Sequence, residues 1–214
     1  MRPLTDSVAK PALLVGDRPL AAYGLQLLSE LGGRLAVNLS WFAGTARRAL
    51  EPYAPPNTLW LVESPEPYGT AGTVAALLPE LADTFVVFNG DLLTDLRLGV
   101  LLATHRREAA PATVAVRSVP SGADLEVHDG RATRFIDRRV QGDEPGALYI
   151  GAAVIERDHV APLLQPGKIA GLGEAVIKPL ADRGELAVHE HSGYAIDVGT
   201  PAQLSRARRM FGDR

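Results

Sequence analysis

Phe85-Val86-Val87-Phe88-Asn89-Gly90-Asp91 is an apolar run closed by a turn and a carboxylate. Four aromatic or β-branched residues in a row suit a strand covered on both faces, and Asn-Gly ends it abruptly. Outward from this run the same pattern repeats. Aliphatic runs at 12–15, 35–39, 58–62 and 113–116 read as further strands, and stretches of helical spacing at 19–31, 43–50, 73–81 and 96–107 separate them. In the first of these, Leu20, Tyr23, Gly24, Leu27, Leu28 and Leu31 recur every three or four residues behind Pro19, so that face is expected in the core.

Beyond residue 120 the texture changes. Runs at 125–128 and 131–136 are split by Asp129-Gly130, a dipeptide that tolerates the positive φ angles of a tight hairpin. A strand at 148–155, a helix at 173–181, strands at 186–190 and 194–198, and a helix starting at Thr200-Pro201 complete the pattern. Strand-helix units followed by an antiparallel portion predict a three-layer α/β/α fold with a mixed, mostly parallel central sheet, as a single domain over 1–214. In such folds ligands sit at the carboxyl ends of strands.

The chain has 214 residues, 46% of them hydrophobic and 22% charged, enough for a full core without metal or disulfide staples. It has no Cys, which excludes disulfides and thiolate metal sites, and its 21 Gly and 16 Pro read as turns. With 22 Lys and Arg against 25 Asp and Glu, the net charge of −3 lacks the positive field that nucleic acid or an anionic membrane attracts. No uncharged run reaches the roughly 18 residues of a membrane span, and Asp6, Lys10 and Asp17 interrupt the first apolar stretches. The expectation is a cytoplasmic protein with neither nucleic acid nor membrane as partner.

Several motifs are excluded. Gly167-Lys168 lacks the flanking residues of a P-loop, and Gly171-Leu172-Gly173 lacks the third Gly and the preceding strand of a dinucleotide fingerprint. His189 and His191 would share a strand face, without a third ligand near in sequence, and a solvated face explains them better than a metal. His105-Arg106-Arg107 and Arg206, Arg208 and Arg209 read as the wet sides of helices.

Asn89-Gly90-Asp91 offers a hard oxygen ligand for Mg²⁺ at a strand's end and is equally good turn chemistry, so the motif alone does not choose. Thr200, Pro201 and Gln203 form a capping box. Asp197 precedes that cap, on a strand where an apolar residue would pack better, which favours a ligand role. Gly69-Thr70-Ala71-Gly72 precedes the expected helix at 73, where small residues would let backbone N–H groups approach a phosphate or a base; a plain Gly-rich turn is the simpler alternative. Lys10, before Pro11, is either a phosphate clamp or a solvated side chain.

Together these segments resemble one family. Arg2-Pro3-Leu4-Thr5, Lys10-Pro11 and Arg18-Pro19-Leu20, then Gly69-Thr70-Ala71-Gly72, Asn89-Gly90-Asp91 and Asp197-Val198-Gly199-Thr200-Pro201, resemble in order the motifs of the sugar-1-phosphate nucleotidylyltransferases. The resemblance implies a Rossmann-like nucleotidyltransferase fold and transfer of a nucleotidyl group from a nucleoside triphosphate to a sugar 1-phosphate, giving a nucleotide sugar and pyrophosphate. It implies Mg²⁺ held by Asp91 and Asp197, with Lys10 neutralising the α-phosphate. It implies nucleotide contacts from Gly69, Thr70, Ala71, Gly72 and Asn89, and sugar contacts from Gly151 and Glu174. Short members of this length include enzymes resembling mannose-1-phosphate guanylyltransferase and N-acetylmuramate-1-phosphate uridylyltransferase. The rival expectation is a non-catalytic sugar-nucleotide-binding or regulatory homologue; homo-oligomerisation is left open.

Two departures bear on the sugar: Asp137-Arg138 stands where many members carry Glu-Lys, and Tyr149 where many carry Asn. The family's first strand and its Gly-x-Gly-Thr-Arg loop have no counterpart before Arg2, and Met1 stands where Leu is usual. The expectation is therefore a chain that begins inside a phosphate-binding element, with its coding sequence extending upstream and an open sheet position where the first strand would lie. The sequence ends soon after the last expected helix, and the second activity that some members draw from a left-handed β-helix is not expected.

Overall fold

The computed structural model describes residues 1–137 and 144–212, so Arg138 lies outside the described residues. A 3-10 turn at Lys10–Ala12 precedes β1 (Leu14–Val15), β2 (Arg18–Pro19), α1 (Leu20–Ser29), β3 (Ala36–Leu39), α2 (Ala43–Leu50) and β4 (Leu59–Val62). Then come α3 (Gly69–Leu77), β5 (Thr84–Phe88), β6 (Leu92–Thr94), α4 (Leu98–Glu108), β7 (Ala112–Val119), β8 (Leu125–His128), β9 (Arg131–Phe135) and β10 (Gly146–Glu156). The chain continues through α5 (Arg157–Val160), a π-helical turn at Gly173–Ile177 running into α6 (Lys178–Ala181), β11 (Leu186–Glu190), β12 (Ala195–Asp197) and α7 (Pro201–Gly212). Among the described residues no helix is long and apolar enough to cross a membrane.

These elements form two compact units, one made of Met1–Pro67, Phe88–Leu98 and Gly193–Arg214, the other of Tyr68–Val87 and Gly99–Ser192. In the first, β3 and β4 pair in parallel from Ala36↔Leu59 to Leu39↔Val62, and Ala21 and Leu25 of α1 pack with Leu39, Ala46 and Leu50. A second cluster joins Val15, Leu20, Leu93, Ile196, Val198 and Leu204, which ties β6 and β12 to α7. Completely burying each of these aliphatic side chains contributes about 1.5–3 kcal/mol. The stripe expected on α1 holds at Leu20 and Gly24, but Leu25 is buried while Leu27 is only half-buried. The reason is local: a Cβ at Gly24 would lie 2.8 Å from the Phe88 ring, so the helix rests on that ring through its glycine. The strand expected at 12–15 is shorter than its apolar length, because Pro11 starts a 3-10 turn through Ala12 and the chain then reverses at once from β1 to β2.

The second unit is built on a six-stranded sheet in the order β5-β10-β7-β11-β9-β8. β10 also pairs with β8 at Ala147↔Leu125, so β10, β7, β11, β9 and β8 close into a ring of hydrogen-bonded strands. The sheet is mixed, as expected, but not mostly parallel. Within it β7–β11 is parallel, whereas β10–β7, β10–β8, β11–β9 and β8–β9 are antiparallel; the two-residue hairpin dictates the direction of β8–β9 alone. The Asp129-Gly130 hairpin forms as read, with φ of +49° and +75°. One face of the sheet is covered by Ala71, Val74 and Ala75 of α3 and by Val176, Ile177 and Leu180.

Two local expectations change here. The helix expected at 73–81 starts at Gly69 and ends at Leu77, with Leu78–Glu80 in a 3-10 turn that contains Pro79. His105 is not on a wet helix face: it is 2% exposed, with Nδ1 2.9 Å from Thr113 Oγ1 and Nε2 2.8 Å from Glu156 Oε1. A polar ring can be buried in this way because both nitrogens find partners. Arg106 and Arg107 stay exposed as expected.

Candidate functional site

In the first unit three residues expected to do chemistry meet. Lys10 is carried by the 3-10 turn that Pro11 initiates, and Leu13 N–H closes that turn on the Lys10 carbonyl at 3.1 Å. Asp91 follows the Asn89-Gly90 turn, in which the Asn89 carbonyl accepts from Leu92 N–H at 3.1 Å. Asp197 ends β12 opposite Leu92 of β6, and the next residue's N–H, that of Val198, donates to the Asp91 carbonyl at 2.9 Å. The antiparallel β6–β12 pair thus brings two carboxylates that are remote in sequence onto adjacent backbone. Lys10 Nζ forms an ion pair with Asp91 Oδ2.

The electrostatics agree with that proximity. Burial first, then the neighbouring Asp91 carboxylate, pushes the Asp197 carboxyl above the usual aspartate range, while Lys10 pulls the other way. Two carboxylates that repel, on rigid backbone and with oxygen donors only, suit a hard divalent cation. Mg²⁺ is commonly bound by one or two carboxylates with water and phosphate oxygens completing the octahedron, so Asp91 and Asp197 fit it. Among the described residues there is no group of three or more His, Cys, Asp or Glu that could hold a metal. His189 Nδ1 lies 2.9 Å from Thr104 Oγ1. Asn89 is half-buried in its turn.

The second unit contains a cleft of about 270 Å³ lined by Ala71, Gly72, Gln165, Lys168, Ala170 and Glu174, among others. Two of the expected contact regions, the start of α3 and Glu174, therefore share one cavity. The glycines have a structural reason beyond ligand approach. Gly69 has φ +70°, and a Cβ there would come 2.5 Å from the Ala170 carbonyl oxygen; one at Gly72 would come 2.8 Å from the Lys168 oxygen. The Ala170 carbonyl accepts from Ala71 and Gly72 N–H at 3.0 and 3.3 Å, so these donors cap α3 against the 168–170 segment. Thr70 is half-buried in the same first turn. Glu174 sits in the π-helical turn, which leads into Pro179, a residue with no N–H to give the Ala175 carbonyl. Gly151 has φ +96° and lies where the β10–β7 register shifts between Tyr149 and Ala153.

Gln165 and Lys168 were missed as lining residues. Pro166-Gly167 marks their turn in the sequence, and hydrogen bonds of Ala170 to Tyr68, Ala71 and Gly72, remote in sequence, hold the neighbouring segment at the cleft.

A family model described as nucleotidyl transferase matches residues 1–125. The chain belongs to that family. Among curated nucleotidyl transferase relatives, the N-acetylmuramate alpha-1-phosphate uridylyltransferase of Neisseria meningitidis serogroup B is 28% identical over 219 residues, covering 99% of this chain and 93% of the relative. The mannose-1-phosphate guanylyltransferase catalytic subunit beta of Drosophila pseudoobscura pseudoobscura is 28% identical over 215 residues, covering 94% of this chain but 56% of its own length. This chain therefore spans little more than half of that relative.

Solved structures show the fold. A protein assigned as a glucose-1-phosphate thymidylyltransferase from Bacillus anthracis, in complex with sucrose, superposes with a TM-score of 0.82 at 19% identity, covering 100% of this chain and 91% of that one. HddC from Yersinia pseudotuberculosis gives 0.75 at 20% identity, covering 96% and 93%. The α/β nucleotidyltransferase fold is thereby shown, and a three-layer Rossmann-like arrangement is consistent with it.

Proposed function

We propose that this chain transfers a nucleotidyl group from a nucleoside triphosphate to a sugar 1-phosphate, releasing pyrophosphate. The observation that carries this is the meeting of Lys10, on its 3-10 turn, with Asp91 and Asp197 at one end of the β6–β12 pair; the names of the curated relatives support it. A phosphate oxygen of the sugar 1-phosphate attacks the α-phosphorus in line, the new P–O bond forms as the α–β bridging bond breaks, and pyrophosphate leaves with that electron pair. No covalent enzyme intermediate is required, so the work of the side chains is positioning and charge neutralisation.

Asp91 and Asp197 would hold Mg²⁺, which when bound offsets negative charge on the phosphates and orients them. Lys10 exchanges its ion pair with Asp91 for the α-phosphate oxygens and neutralises charge there. Glu174, in its cleft, accepts hydrogen bonds from sugar hydroxyls, and Gly151 keeps its strand free of a side chain. The start of α3 contributes shape to the nucleotide site, its Ala71 and Gly72 donors being already engaged.

A pyrophosphate-release assay across the common nucleoside triphosphates and sugar 1-phosphates tests this. Turnover with at least one pair is expected, and binding without pyrophosphate release would instead identify a non-catalytic homologue. Asp91→Ala or Asp197→Ala with full activity would refute the assignment of the carboxylates.

A further inference from the structure

The chain has three lysines, and two of them are occupied: Lys10 pairs with Asp91, and Lys178 pairs with Asp182 at 2.8 Å. Lys168 is the third. It lines the cleft of the second unit, and among the described residues its ammonium has no carboxylate partner and no hydrogen-bond acceptor. Its backbone, by contrast, is fixed. Lys168 N–H closes the Pro166-Gly167 turn on the Gln165 carbonyl at 3.1 Å, and two residues on Ala170 N–H donates to the Tyr68 carbonyl at 3.0 Å. The Lys168 carbonyl oxygen packs against Gly72 of α3. An unpaired charge is thus mounted on an immobile root at the cleft wall.

The rest of the lining decides what that charge can meet. Leu163, Leu164, Ala175 and Pro179 make much of the wall apolar, and over such a surface charge attraction is screened less than in open water. Among the lining residues Glu174 is the one carboxylate and Lys168 the one cation. Glu174 feels the Lys178 ammonium four residues on, and forms no ion pair with Lys168. The two charges therefore share the cleft without neutralising each other. A neutral polyol would leave Lys168 unpaired, and a bare anion would meet repulsion from Glu174; a hydroxylated ligand that also carries an anionic oxygen satisfies both. At about 270 Å³ the cleft is smaller than the roughly 300–1,000 Å³ of sites for drug-sized ligands, which suits one sugar ring with a charged substituent.

We propose that Lys168 binds an anionic oxygen of the sugar substrate while Glu174 takes its hydroxyls, so that this cleft selects charged sugar derivatives over neutral ones. This rests on the function proposed above. The 1-phosphate and an acidic group on the ring both supply such an oxygen, and the test separates them. Glucose and mannose, each as the free sugar, the uronate, the 1-phosphate and the uronate 1-phosphate, are titrated calorimetrically into wild type, Lys168→Met and Lys168→Arg. Because the Lys168 side chain is exposed, all three proteins should melt together without ligand. Wild type should bind at least one anionic form more tightly than its free sugar; Lys168→Met should weaken that binding about tenfold or more, and Lys168→Arg should regain most of it. A loss confined to the 1-phosphates assigns the phosphate, and one confined to the uronates assigns the ring carboxylate; either supports the proposal. Equal affinities of wild type and Lys168→Met for every anionic form would overturn it. So would a wild type that binds none of them, or a loss that Lys168→Arg does not repair. Lys168-dependent binding without pyrophosphate release would leave this anion site standing and remove the transfer reaction, whereas release with Lys168-independent binding would do the reverse.

Discussion

Asp197 shows most directly how a single residue can stand out in a sequence. A carboxylate at the end of an otherwise apolar strand, unneeded by the helix cap that follows, stands out in the sequence, and the fold places it beside Asp91 and Lys10. Lys10 alone carried no such signal, since a lysine before a proline is ordinary; its pairing with Asp91 is a tertiary fact. Lys10→Ala is expected to lower kcat about 10²-fold or more, by the magnitude typical of removing one charge-stabilising group. Steady-state pyrophosphate release would measure this, and an unchanged kcat would remove Lys10 from the mechanism.

His189 allows a prediction on stability. Burial first, then electrostatic repulsion from the neighbouring His191 and Arg107 side chains, holds its pKa below the usual histidine range, and Thr104 occupies its Nδ1. The native state keeps the ring neutral, whereas the unfolded chain takes up a proton near pH 6.5. The resulting contribution is present above that pH and is lost as pH falls through the lowered value. Wild type should therefore lose melting temperature more steeply than His189→Gln between about pH 7.5 and 5.5; parallel curves would show that the ring is not held neutral.

At the scale of elements, the run 85–88 was legible because consecutive aromatic and β-branched residues favour a strand, although as an edge strand it buries only Phe85 and leaves Val86, Val87 and Phe88 half-buried. Rotation and register were not. His105 of α4 turned inward because Thr113 of β7 and Glu156 of β10 complete its hydrogen bonds, and α3 began four residues early because the Ala170 carbonyl caps it from far along the chain. Gly69→Ala meets both a positive φ and that carbonyl, so a loss of about 1–3 kcal/mol is expected, read by urea unfolding. The cap of α7 was fully local and was read correctly: Gln203 N–H donates to Thr200 Oγ1 at 3.2 Å, and Gly199 N–H donates to Gln203 Oε1 at 3.0 Å. Thr200→Ala should cost about 1 kcal/mol in the same experiment; no change would mean that the Gln203 side chain suffices.

For the whole molecule, the order of motifs along the chain carried more information than any single motif, because each alone is also good turn or cap chemistry. The cleft of the second unit was not legible, since Gln165, Lys168 and Glu174 reach it through non-local pairing. The apolar cluster around Ile196 and Val198 is built from aliphatic side chains and needs no ion, so metal and fold should be separable. Chelation with excess EDTA is expected to abolish pyrophosphate release, with recovery on adding Mg²⁺, while far-ultraviolet circular dichroism stays unchanged. Full turnover in EDTA would exclude a divalent cation from the reaction.

The closed ring of strands in the second unit has a consequence for how the protein is made. β11 joins β7 to β9, yet it is the last of the five to be synthesised. On the ribosome the β8–β9 hairpin and the β7–β10 pair can form first, but the facing edges of β7 and β9 stay unsatisfied until Leu186–Glu190 has left the exit tunnel. A nascent chain paused before Leu186 would therefore expose two open strand edges to its neighbours, and the translation rate over this last stretch sets how long that exposure lasts.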